Sequence, residues 1–170
     1  SDIQNNHWLA LFDVDRSCIL DPLTQPLPFT PFKDFTERSI NEINLYSTEM
    51  SSALYSIDRV SASANMNNRL SEAIVEAYKS TNGAPISFEL MLKCYQSRMK
   101  DANNDDSISS VLKQLVNAHI FESEDKVSLI DDSYIIKMDG YPKDGPIAKA
   151  IVYFLMSKLN NIYELWINKQ

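Results

Sequence analysis

Two aspartates one residue apart, Asp13 and Asp15, follow the apolar Leu11 and Phe12 in the segment LFDVDRSCILD, residues 11 to 21. Where a buried strand ends, such a pair can hold Mg²⁺ and present a carboxylate nucleophile to a phosphoryl group, because the metal neutralises charge on the transferred oxygens. A second acidic pair, Asp131 and Asp132 in VSLIDD (127 to 132), would suit the same ion. Other chemistry is thinner. His7 and His119 have no Cys, Ser or Asp partner at a recognisable spacing, and Cys18 and Cys94 are far apart, with no CxxC or Cys/His cluster to hold zinc.

The Asp13/Asp15 pair resembles the Asp-x-Asp motif of the haloacid dehalogenase phosphatases, which implies a Mg²⁺-dependent phosphatase. Its neighbours oppose this. The family places Gly and Thr after the second Asp, where the chain turns and its amides approach the phosphate; here Arg16 and Ser17 follow. That fold also needs repeated strand-helix units around a parallel sheet, whereas residues 32 to 119 read as helices. Asp131 and Asp132 fit a hairpin turn, which their side chains favour. The expectation is therefore a protein without catalytic residues, metal or cofactor.

The chain has 170 residues, 44% of them hydrophobic, enough for one domain with a substantial core. Its net charge of −7 repels nucleic acid and anionic membrane. No run of about 18 apolar residues suggests a membrane span, and the start of the chain lacks a secretion signal, so a soluble, intracellular protein is expected. Glycine occurs only at 83, 140 and 145, leaving little material for phosphate-cradling loops.

Four prolines within residues 1 to 31 predict an extended arm. Phe32, Phe35, Ile40, Ile43, Met50, Leu54, Ile57 and Val60 recur at mostly helical steps and predict a helix, or helix pair, over a 32–65 extension. Met66, Leu70, Ile74, Val75 and Tyr78 give a helix ending at Asn82-Gly83, a left-handed cap signal. Ser87 suits the N-cap of a helix with Phe88, Met91, Leu92, Tyr95 and Met99, and Ser107 that of a third with Ile108, Val111, Leu112, Leu115 and Val116. The runs 126–130 and 134–138 predict a β-hairpin. A last helix over 146–170 carries Ile147, Ile151, Phe154, Leu155, Leu159, Ile162, Tyr163 and Trp166, a density of large apolar groups that asks for intrachain core or a subunit interface.

Helix, short link, helix, loop, helix and hairpin over 66–140 resembles a winged-helix domain, and VLKQLVNAHIFESEDKVSLI (111 to 130) is similar to its third helix running into the wing. The expected fold is mainly α: a winged helix with a small hairpin wing, flanked by an N-terminal helix and a long C-terminal helix. The resemblance implies DNA binding through the third helix, with Lys93, Arg98, Lys100, Ser109, Ser110, Lys113, Gln114 and Asn117 as the candidate contacts. Residues 86 to 140, however, hold six Lys/Arg against ten Asp/Glu, a net of −4. A field of that sign opposes phosphate binding and favours the protein-binding winged helices of nuclear replication, chromatin and transcription assemblies. A protein partner, itself basic, or a second copy is then expected on Trp8, Phe154, Tyr163 and Trp166, since aromatic groups dominate interface energetics.

Overall fold

The computed structural model describes residues 19–57, 63–129 and 134–169. Five α-helices make up most of it: α1 (Ile40–Ile57), α2 (Ala64–Ser80), α3 (Phe88–Ser97), α4 (Ser107–Ala118) and α5 (Pro146–Ile167). Each of α1 to α4 packs on the next, and α5 lies across α1 and α4. Local signals set most of the boundaries. Ser63 caps α2 by accepting from the Met66 N–H, and Ser87 caps α3 by accepting from the Leu90 N–H. At α4 the cap is Asp106, one residue before the expected Ser107: its carboxylate accepts from the Ser109 N–H while the Ser109 hydroxyl accepts from the Asp106 N–H.

Asp106 does more than cap. Its Oδ2 also accepts from the Tyr95 hydroxyl at 2.6 Å and pairs with Arg69 at 3.2 Å, so one carboxylate ties α2, α3 and α4 together. Burial first, and then this bond, holds the Tyr95 hydroxyl well above its ordinary pKa.

Residues 32 to 39 are not helical. They continue an extended strap from residue 19 that feeds Leu27, Phe29, Phe32 and Phe35 into the core. The three-residue step between Phe32 and Phe35 imitates a helix, but the strap is held from outside: the Phe35 N–H donates to the Gly83 carbonyl at 2.7 Å. Gly83 sits at φ +86°, and a Cβ there would meet the Phe35 carbonyl oxygen at 2.6 Å, so this close approach requires glycine. The helix begins only after Ser39, whose N–H donates to the Glu42 carboxylate at 2.9 Å.

The expected hairpin wing is replaced by pairing with the same strap. Strand β2 (Ile135–Ile136) lies parallel to β1 (Ile19–Leu20), with Ile19 opposite Ile135 and Leu20 opposite Ile136, and residues 126 to 129 form no strand. Leu27 exchanges backbone bonds with Ile120 and Glu122, and Pro28 accepts from the Lys126 N–H. The β-rich runs after α4 thus find a partner a hundred residues upstream instead of each other. What stands is a mainly helical protein with a small parallel two-stranded sheet.

At the centre, Phe29 and Phe32 of the strap, Phe88 of α3, Phe121 and Phe154 of α5 form one aromatic cluster with neighbouring ring centroids 4.9–6.4 Å apart. Edge-on contacts of this kind add to the burial of large apolar area.

Candidate interaction surface

Helix α5 begins at Pro146, where the missing N–H costs nothing. Its first half turns Ala150, Ile151 and Phe154 into the core. Beyond Phe154 no residue of α5 is fully buried, and Lys158 closes the packed section with an ion pair to Asp125 at 2.7 Å.

A second apolar stripe runs along the same helix. Val152, Met156, Leu159, Tyr163 and Trp166 follow one another at steps of four, three, four and three residues, each between 41% and 60% exposed. Those steps hold five large groups on one line of the helix, the spacing of a coiled-coil seam. Tyr163 and Trp166 stack on each other with centroids 6.4 Å apart, so the distal end of the stripe carries a preformed aromatic knob. At the proximal end Val152 rims an apolar hollow of about 440 Å³ lined by Met138, Lys143, Ala148, Lys149 and Tyr153. On the other flank, exposed Leu165 faces Leu45 of α1 across a polar cleft that also holds Glu42, Glu49 and Glu164.

Of the residues expected to bind protein, Tyr163 and Trp166 lie on this surface. Phe154 does not: it is fully buried in the aromatic cluster, because its helical position faces the strap. Trp8 lies outside the described residues, as do Asp13, Asp15, Asp131 and Asp132. The sequence pattern missed Val152, Met156 and Ile167, because the expected apolar face merged two stripes into one broad band.

The residues considered for DNA do not assemble into a basic face. Arg98 pairs with Glu76 at 2.6 Å and reaches Glu72 at 4.0 Å, and Lys113 pairs with Asp105 at 2.7 Å. The Lys113 ammonium holds the Asp105 carboxyl below its ordinary pKa. Ser109, expected on the outward face of α4, is buried within the Asp106 cap. Ser110 is half-buried, whereas Lys93, Lys100, Gln114 and Asn117 are exposed on α3, the loop after it and α4. Among the described residues no three His, Cys, Asp or Glu side chains gather to hold a metal ion, and no helix is long and apolar enough to cross a membrane.

No protein-family model matches the chain, and no curated protein or solved structure matches it either.

Proposed function

We propose that the chain is a non-enzymatic protein-interaction domain whose docking surface is the exposed stripe of α5. One observation carries this: five large apolar groups at seam spacing stand in solvent on a helix whose other face is already committed to the core. Scattered exposed apolar residues need no explanation, but a continuous line of them marks a binding surface. The stacked Tyr163 and Trp166 are the anchors, being large, aromatic and held against each other.

The same proposal includes kinship with winged-helix domains, supported by the order and successive packing of α2, α3 and α4, and with it a place in a nuclear, DNA-associated assembly. The local net charge and the ion pairs of Arg98 and Lys113 favour protein over duplex DNA as the partner.

The test is a paired measurement on the full chain. Tyr163→Ala with Trp166→Ala is expected to keep the helical circular dichroism and melting temperature while weakening association with a captured, purified and titrated protein partner at least tenfold. Unchanged affinity in the double variant overturns the assignment of this surface. Micromolar binding to duplex or single-stranded oligonucleotides that falls steeply with added salt would overturn the choice of protein over DNA.

A further inference from the structure

We propose that the partner on the α5 stripe is a second copy of this chain, packed antiparallel about a two-fold axis near Leu159; this rests on the stripe being a docking surface. The stripe is complementary to itself. Its distal end is the protruding Tyr163–Trp166 pair, and its proximal end is the apolar hollow beside Val152. The two ends are 14 residues apart, about 21 Å along the helix. Leu159 is midway between Val152 and Trp166, so a two-fold axis there brings each aromatic pair over the other copy's hollow. That is the reciprocal contact of an isologous interface, in which residue i meets j and j meets i. A parallel pair would set aromatic against aromatic and leave both hollows uncovered.

Charge supports the same occupant. The positions flanking the seam are Tyr153, Leu155, Asn160, Ile162 and Ile167, none of them ionisable as an acid or base near neutral pH. Helices that select a different partner commonly do so through charges at these positions. None of these flanking positions opposes an identical copy or attracts a basic one, and the two lysines lining the hollow, Lys143 and Lys149, would meet the other copy's aromatic pair, whose ring faces favour a cation. Val152, Met156, Leu159, Tyr163, Trp166 and Ile167 are each between 41% and 60% exposed, a line of large groups on the scale of a small specific interface, whose two sides together bury on the order of 1,200 Å².

Each copy carries a net charge of −7, and the two bodies repel each other at low ionic strength. Added salt therefore strengthens this association, the opposite of its effect on an acidic surface binding a basic partner.

Sedimentation equilibrium of the full chain from micromolar to millimolar concentration is expected to show a monomer-dimer equilibrium that tightens several-fold with added sodium chloride. Val152→Arg at one end of the stripe, or Trp166→Ala at the other, should each give a folded monomer over most of that range. Spin labels in a Cys18→Ser background report the orientation. Labels at Asn160→Cys should lie close together across the pair, and labels at Lys169→Cys, exposed and outside the hollow, should be separated by about 30 Å along the axis. A chain that stays monomeric throughout overturns the second copy as occupant. Close labels at both positions overturn the antiparallel arrangement. If the chain is monomeric and the Tyr163→Ala/Trp166→Ala variant still loses a titrated foreign partner, the docking surface stands and only this inference fails.

Discussion

The two halves of α5 share one helical backbone and a similar density of large apolar residues, yet they meet different surroundings. Up to Phe154 one face of the helix packs on the strap, α3 and Phe121, with Ala150, Ile151 and Phe154 fully buried, while Val152 on another side starts the exposed stripe. From Met156 onward the stripe stands in solvent. The difference teaches that apolar density along a helix records how much surface must be covered, not what covers it. In the first half the cover comes from residues 27 to 35, far away in sequence. In the second half the described residues leave the stripe exposed.

The largest expected effect tests that contrast directly. Phe154→Ala removes a ring that touches Phe32, Phe88 and Phe121, and a buried Phe→Ala change costs about 3–5 kcal/mol. Tyr163→Ala with Trp166→Ala removes more aromatic area but should stay within about 0.5 kcal/mol per site, as exposed substitutions do. Chemical denaturation of the two variants, at a concentration where the chain is monomeric, compares them. Equal losses would show that the distal half is core as well.

Next in size is Asp106→Ala. It deletes the α4 cap and leaves the Tyr95 hydroxyl and Arg69 without their shared acceptor, a loss of about 2–3 kcal/mol. Asp106→Asn keeps a capping oxygen and should recover part of it. If Asp106→Ala matches a plain cap deletion of about 1 kcal/mol, then the link across α2, α3 and α4 contributes little.

The tyrosines inside the packed region give a pH test. Burial, the main cause in each case, raises Tyr46, Tyr78 and Tyr95 above the ordinary value of 10.0. The unfolded chain releases these protons above pH 10 while the folded chain keeps them. Their contribution is therefore complete below pH 10 and is lost as pH rises, by about 1.4 kcal/mol per tyrosine per pH unit. Tyrosinate absorbance from these three should appear only together with loss of helical circular dichroism. Ionisation with the fold intact would place them in the wetter class of side chains.

Much of the helical part was legible in the sequence because its signals are local. Asn82-Gly83 ends α2, Ser87 caps α3, and the apolar steps of α4 mark its buried face. The strap and the sheet were not legible, since Leu27 meets Ile120 and Ile19 meets Ile135 across about a hundred residues, and no local period encodes a distant partner. Proline content described the strap as an arm when it is a layer of the core. Of the surface, Tyr163 and Trp166 could be picked out from their type, as large aromatic residues on the last helix. The separation of exposed from buried stripes could not, because it depends on where the strap lies.

One local signal went unread. Ser39-Ile40-Asn41-Glu42 has the serine and glutamate spacing of a capping box directly before the apolar run of α1. In the fold the Ser39 N–H donates to Glu42 at 2.9 Å, Arg38 pairs with the same carboxylate at 3.1 Å, and the Glu42 N–H reaches the Ser39 hydroxyl at a long 3.4 Å. The Ser39 N–H, ahead of Arg38, draws the Glu42 carboxyl below its ordinary pKa. The part of the box made by Glu42 is therefore present above the usual carboxylate range and lost as pH falls through the lowered pKa. Ser39→Ala removes the longer bond and the hydroxyl's own 3.2 Å bond to the Glu42 carboxylate, and leaves that carboxylate's bond to the Ser39 backbone N–H. Its cost should be near the low end for a cap, about 0.5 kcal/mol, the smallest change considered and one without effect on association through α5. A loss above 2 kcal/mol at pH 7, read from thermal melts, would mean that the hydroxyl and not the carboxylate fixes where the strap ends and α1 begins.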